Sequence, residues 1–342
     1  MEYGAIDLHK RRSQIRSVTA EGAVVLDRRI DTTRSDLDRL FGGRGRMRIL
    51  LESSTESEWV AQHLEGLGHE VIVADPNYAA MYGARSRKVK TDKRDAAALA
   101  EACRTGVYRR AHRASAAARE LRRVLRVRSQ VVQQRSRLIC LLRSLLRSEG
   151  LSLATGSAEH VLTRLARVAM PAALETAVAP LRTLLASVQA TLAGLEAEVE
   201  ARATADPVTQ RLMTTPGVGP IVALTFQAVL DTPARFGGDA RRASAFLGVV
   251  PSEQSSAERR HQGAITKAGP RELRALVVQA SWVLWRGTSR AGAALRTWAH
   301  TLAARRGRRV AIVALARRLS RILYALWRDG TAFHAPAPRR PA

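Results

Sequence analysis

Acidic residues are scarce in this chain: 30 Asp and Glu stand against 56 Lys and Arg, for a net charge of +26 over 342 residues. Lysine is scarcer still, with five (Lys10, Lys88, Lys90, Lys93, Lys267), so the positive charge is almost entirely arginine. An arginine-rich coding bias accounts for a general excess but not for where the acids are missing. Arg104 to Arg147 holds thirteen Arg and one acid, Glu120, and Arg286 to Arg328 holds eleven Arg and none. Such segments call for a polyanionic partner, most simply nucleic acid. Cysteine is nearly absent too. Cys103 and Cys140 lie far apart with no CxxC or Cys/His spacing, which excludes a disulfide framework or structural zinc and makes a reducing cytoplasm the expected compartment. No apolar run is expected to reach membrane-spanning length, and the N-terminus MEYGAIDLHKRR has no signal-peptide core, so no membrane partner is expected.

What is present is enough to fold. Hydrophobic residues make up 46%, and the length suits two or three domains. The first hundred residues alternate strand and helix signals. Tyr3–Leu8, Gln14–Thr19 and Ala23–Ile30 read as successive strands, followed by a helix over Ser35–Phe41 and a strand over Arg48–Leu51. A helix over Glu56–Leu67 and a strand over Val71–Ala74 complete a β-β-β-α-β-α-β-α order with the next helix. That is the order of a ribonuclease-H-like (RuvC-like) fold, an α/β domain. Ala114 to Glu149 reads as one long helix. A second helix carries Leu181, Leu185, Val188, Leu192, Leu195 and Val199 in steps of 4, 3, 4, 3 and 4, the heptad seam of a coiled coil. Such a seam serves either self-association, from dimer to tetramer, or an antiparallel hairpin within one chain. After Pro207 the pattern is helical again. Thr214-Thr215-Pro216-Gly217-Val218-Gly219-Pro220 resembles the turn of a helix-hairpin-helix element, where Gly217 and Gly219 let backbone N–H groups meet a phosphate, or serves simply as a tight turn joining two helices. The expected domains are 1–112 (RuvC-like), 113–206 (coiled-coil linker) and 207–332 (helical C-terminal domain), with a disordered tail at 333–342.

In so basic a chain the acids at element ends stand out. Asp7 closes the first predicted strand and Glu52 the fourth. Asp92 and Asp95 open a helix, and their i,i+3 spacing puts both on one face. Four converging carboxylates repel unless cations neutralise them, which suits a hard divalent ion, Mg²⁺ or Mn²⁺, bridging to phosphate. Read singly, Asp92 also serves as a helix cap, and Asp7 and Glu52 as solvated strand ends. A second constellation is a polar loop with adjacent Ser255 and Ser256, followed by Arg259, Arg260 and Lys267. A serine hydroxyl there can attack a phosphodiester while the cations stabilise the transition state, or the loop can simply grip phosphate.

Taken together, Ile6-Asp7-Leu8-His9-Lys10, Leu51-Glu52, Thr91-Asp92-Lys93-Arg94-Asp95-Ala96, Pro216-Gly217-Val218-Gly219 and Leu247-Gly248-(x2)-Pro251 through Thr266-Lys267-Ala268-Gly269 resemble the DEDD transposases of the IS110 (IS116) insertion-sequence family. The likeness runs over roughly residues 3 to 330, in order. It implies a RuvC-like domain, a coiled-coil linker and a C-terminal transposase domain. It implies an acidic tetrad at Asp7, Glu52, Asp92 and Asp95, a nucleophilic serine at Ser256, and DNA as substrate. It further implies tetramers guided by a non-coding bridge RNA. Two positions depart from the family pattern: Ala257 stands where Gly usually follows the serine, leaving Ser255 as an alternative, and Ser53-Ser54-Thr55 lacks the usual Gly after the glutamate. Competing readings are a RuvC-type structure-selective nuclease, which needs the acids but no serine, and a non-catalytic nucleic-acid-binding protein.

Overall fold

The computed structural model describes residues 1–83, 91–254 and 261–334, which form two compact units, Met1–Arg113 and Ala114–Ala342. In the first, strands β1 (Tyr3–Asp7), β2 (Arg12–Val18) and β3 (Val24–Asp31) make an antiparallel meander. Helix α1 (Arg34–Phe41), β4 (Arg48–Glu52), α2 (Ser57–Gly66) and β5 (Glu70–Ala74) follow, and α3 (Asp92–Thr105) ends the series. β4 pairs parallel to β1, and β5 parallel to β4, giving the sheet order β3-β2-β1-β4-β5.

Two-residue alternation sorts the strands' side chains between two cores. Ile6, Ile49, Leu51, Val71 and Val73 face one core with Leu37 and Phe41 of α1 and Val60 and Leu64 of α2. Ala5, Leu50, Ile72 and Ala74 face the other with Leu99 and Cys103 of α3. β1, β4 and β5 are therefore covered on both faces, which is why they read as apolar runs. Each fully buried Leu or Ile contributes about 1.5–3 kcal/mol. A polar group in this part of the sheet survives only where the strands end, and that is where Asp7 and Glu52 lie.

The second unit begins with α4 (Ala116–Ser148), capped by the Ser115 hydroxyl, then short α5 (Val161–Leu165) and α6 (Ala172–Ala205). Leu185, Leu192 and Val199 of the heptad seam are buried within this single chain. Leu125 near the start of α4 packs with Val199 and Ala203, while Ile139, Leu142 and Leu146 pack with Leu185 and Val178, so the two helices run antiparallel. The expectation that no apolar run reaches membrane-spanning length is corrected here. By length and composition α6 qualifies, with a mean hydropathy of 1.2 over its best window. It is rich in Ala and Leu, and its seam is occupied by α4.

Helices α7 (Pro207–Met213) and α8 (Pro220–Leu230) flank the Thr214–Gly219 turn. Asp206 caps α7 and also accepts from Gln227 Nε2 (2.7 Å) and the Thr209 hydroxyl (2.5 Å), tying the ends of α6, α7 and α8 together. Short α9 (Ala240–Phe246) leads to a two-stranded ribbon, β6 (Pro251–Glu253) with β7 (Gln262–Ile265), and then to α10 (Arg271–Arg286), α11 (Ala293–Arg306) and α12 (Arg308–Asp329). Their main core gathers Phe226, Leu230, Leu247, Leu273, Val277, Leu319, Leu323 and Tyr324. Of the tail expected to be disordered, residues 335–342 lie outside the described residues, and Phe333 N–H donates to the Thr214 hydroxyl (2.8 Å).

Candidate active site

Parallel pairing of β1 with β4, in the register Ile6 opposite Leu51, carries Asp7 and Glu52 out at the same edge of the sheet. This is the carboxyl end of adjacent parallel strands, where α/β sheets place ligands. Helix α3 brings Asp92 to the same place. Its cap is Thr91, whose hydroxyl accepts from Arg94 N–H, so Asp92 sits at the first helical position and its carboxylate is not consumed by capping. Carboxylate oxygens of Asp7 and Asp92 and a ring nitrogen of His9 lie within 4.8 Å of one another. Asp95, one turn further along α3, is buried.

Asp7 shows what this convergence does. It is buried, and among the described residues its Oδ2 has no hydrogen-bond donor. His9 Nε2 lies 3.4 Å from Asp7 Oδ2 and 3.7 Å from Asp92 Oδ1. The Asp7 carboxyl is pushed up from 3.8 to about 6. Burial is the largest cause; His9 opposes it, and Asp95, Asp92 and Glu52 each push it higher. Asp92 has a further partner in Arg29 of β3, at 3.5 Å, and Glu52 accepts from the Tyr82 hydroxyl.

The donor set fits a hard divalent cation. It offers oxygen ligands, one of them a buried oxygen without a hydrogen bond, together with mutual repulsion that a cation relieves. Of the four predicted acids, Asp7 and Asp92 meet directly. Glu52 and Asp95 are near enough to act on the charge of Asp7. Sequence reasoning assigned no role to His9, Arg29 or Tyr82. His9 had a signal, since it sits two residues from Asp7 in the same motif. Tyr82 and Arg29 had none, because their approach depends on the fold.

In the second unit, Ser255, Ser256, Arg259 and Arg260 lie outside the described residues. The frame around them is described. β6 and β7 pair on either side, and Ser252 Oγ donates to Ala264 O (3.0 Å). At the base of the ribbon two backbone segments cross in contact. A Cβ on Gly269 would lie 1.9 Å from Phe246 O, and one on Gly248 2.2 Å from Ala268 O, while both glycines have positive φ. Lys267 also has positive φ (53°), and its N–H donates to Gly248 O (3.1 Å). Arg274 Nη1 donates to both Leu247 O and Ala268 O (3.2 and 3.1 Å). The motif glycines are therefore demanded by this crossing.

Gly217 is likewise fixed by packing. It has φ of 87°, and a Cβ there would lie 2.6 Å from Ala280 O. Gly219 stands at the N-cap of α8, and a Cβ there would meet nothing within 4 Å, so packing does not demand glycine at this position as it does at Gly217.

Comparisons with known proteins agree across both units. A family model described as a transposase, of the DEDD IS110 type, matches residues 5–149. A second, described as the transposase IS116/IS110/IS902 family, matches residues 209–297. The chain is 29% identical to a probable family 20 transposase of Pseudomonas aeruginosa, covering 96% of this chain and 97% of that one. It is 26% identical to the transposase for insertion sequence element IS1111A of Coxiella burnetii, covering 94% and 88%, and to that for IS1328 of Yersinia enterocolitica, covering 96% and 97%.

Proposed function

The chain belongs to the IS116/IS110/IS902 family of transposases, enzymes that act on DNA, and from that premise we propose that it cuts and rejoins DNA with divalent cations held by Asp7, Glu52, Asp92 and Asp95 and with Ser256 as nucleophile. The observation that carries the metal reading is Asp7, whose buried, hydrogen-bond-free oxygen sits beside Asp92 at the carboxyl end of two parallel strands. The ribonuclease-H-like reading of the domain is supported by its antiparallel meander continued by two parallel strands, with α3 closing the acidic edge.

Mg²⁺ or Mn²⁺ bound there would supply Lewis-acid polarisation of a phosphodiester. The protein's own groups set the stage. Burial of Asp7 and repulsion from its neighbours keep the site poised to take up positive charge. His9 and Arg29 hold Asp92 in place. The Tyr82 hydroxyl orients Glu52.

At Ser256 the hydroxyl oxygen attacks phosphorus and the DNA 3′ or 5′ oxygen leaves, taking up a proton. The bond energy is kept as a phosphoserine link for rejoining. Arg259, Arg260 and Lys267 supply positive charge near the transferring group. Family kinship further supports a tetramer and guidance by a bridge RNA pairing with donor and target DNA.

The test is a suicide substrate nicked near the exchange point, followed by denaturing gel and peptide mass spectrometry. An adduct on Ser256, absent in Ser256→Ala and in EDTA, is expected. An adduct on Ser255 moves the nucleophile by one residue. Free 3′-hydroxyl and 5′-phosphate ends without an adduct would place the chain with hydrolytic RuvC-type nucleases. Sequencing RNA that co-purifies with the protein tests the guide.

A further inference from the structure

Three of the five tryptophans lie within α10 and α11, and each meets a cationic or imidazole partner. Trp282 lies under the Arg286 guanidinium (5.2 Å), Trp298 under that of Arg318 (4.8 Å), and Trp285 stacks with the His300 ring at 3.8 Å between centroids, tilted by 34°. Trp282 and Trp285 are three residues apart, so they share one face of α10. Between them Val283 is 59% exposed, and His300 is exposed as well. Trp285 is anchored from behind by the Leu284–Leu295–Leu315 cluster. The indole is therefore held rigidly, with its stacked imidazole facing out.

The charge around this surface is unneutralised. The eleven arginines from Arg286 to Arg328 have no acid among them in sequence. Among the described residues, the only one of these with an acidic partner is Arg328, bound to Asp329. Elsewhere arginines are commonly paired, as Arg113 is with Glu58 and Glu65 and Arg202 with Glu120 and Glu198. A pile of flat rings beside unpaired guanidinium groups has the donors for phosphates and the faces for bases. A base inside a duplex has no free face to offer, so the fit is to an unpaired strand. DNA rather than RNA is the occupant proposed because cutting and rejoining DNA frees unpaired DNA strands, and the titration of RNA decides between the two.

We propose that the Trp282–Trp285–His300 surface is a stacking platform for unpaired bases of single-stranded DNA, with neighbouring arginines holding its phosphates. Strand exchange exposes such a segment. The inference deepens the reading of this chain as a DNA recombinase and rests on it.

The experiment uses the full-length protein in EDTA, so that no cleavage intervenes. Fluorescein-labelled single-stranded DNA, the same sequence as duplex, and the same sequence as RNA are titrated. Single-strand binding should quench tryptophan fluorescence. His300→Ala and Trp285→Ala should each weaken single-stranded DNA by roughly five- to a hundredfold, the range for losing one stacked base. Duplex affinity should be unchanged, and Trp285→Phe should restore most of the loss. Arg305→Gln with Arg306→Gln should flatten the single-strand salt slope by about 0.7 for each phosphate no longer held. Because Trp285 is partly buried, exposed His300 carries the test should Trp285→Ala misfold. Equal losses on single strand and duplex, no loss on either, or a tighter platform-dependent hold on RNA would each overturn the proposal. Wild-type protein that binds no duplex at all would instead count against the DNA reading itself.

Discussion

Asp7 concentrates the physics of the site in one side chain. Its folded pKa, about 6, lies above its ordinary 3.8. A raised carboxyl favours the folded state while protonated, so its contribution is fully present below pH 4 and is lost as pH rises through about 6. The metal-free protein should therefore lose stability over that window. Asp7→Asn should remove the loss, being more stable than wild type at pH 7 in EDTA by on the order of 2 kcal/mol, with the advantage gone near pH 4. Thermal melts of both proteins across pH measure this. Millimolar Mg²⁺ should raise the wild-type Tm at pH 7 and leave the variant's unmoved, by linkage of binding to folding. Equal Mg²⁺ shifts in both proteins would remove Asp7 from the ligand set. A second prediction concerns Thr91. Thr91→Ala should lower stability by about 1 kcal/mol through loss of the cap. It should also weaken the Mg²⁺-induced shift, because the start of α3 sets where Asp92 stands.

At the level of elements, two junctions carry most of the consequence. The first is the crossing beneath the β6–β7 ribbon, where Gly248 and Gly269 allow backbones to touch. Gly269→Ala forces a methyl group into Phe246 O and requires positive φ of an alanine, so the crossing must open. Rejoining activity should fall far more than duplex affinity, measured side by side by the suicide substrate and by filter binding. Full activity in that variant would mean that the crossing does not position the loop. The second is the α4–α6 hairpin. Leu192 is fully buried on α6, so Leu192→Ala should lower stability by about 2–5 kcal/mol in denaturant melts. The heptad arithmetic identified this seam correctly without identifying its partner, since a self-associating helix and a folded-back one bury the same positions.

Over the whole molecule, charge is the dominant feature. With a net +26 concentrated in acid-poor stretches, duplex affinity should be set by arginines neutralising phosphates. Each phosphate neutralised adds about −0.9 to the slope of log K against log salt, so a complex neutralising roughly six to ten should weaken by about 10³–10⁵ between roughly 50 and 200 mM salt. A slope near zero would contradict this. Many acids are spent on pairs with arginines, as Glu58 and Glu65 are on Arg113, whereas at the carboxyl edge of the first unit's sheet acids gather beside one another. A divalent ion there would join the two kinds of charge to one phosphate backbone.

The sequence by itself determined the features that repeat locally. Short apolar runs marked β1, β4 and β5, and three- and four-residue steps set the seam of α6. The ends of those runs marked Asp7, Glu52 and the start of α3. Such patterns are readable because burial acts on each residue according to its own position in an element. How distant parts of the chain meet was decided only by the tertiary structure. Thr91, rather than Asp92, caps α3, and His9 and Arg29 hold Asp92. Tyr82 reaches Glu52 across thirty residues. Gly217 is required by the carbonyl of Ala280, far along the chain, where the motif alone left phosphate binding and a plain tight turn both open. The ribbon that frames the serine segment is two strands pairing, where composition suggested only a polar loop. Each of these depends on the separation of two groups in space, and no periodicity along one strand or helix encodes a separation that the packing of several elements must set.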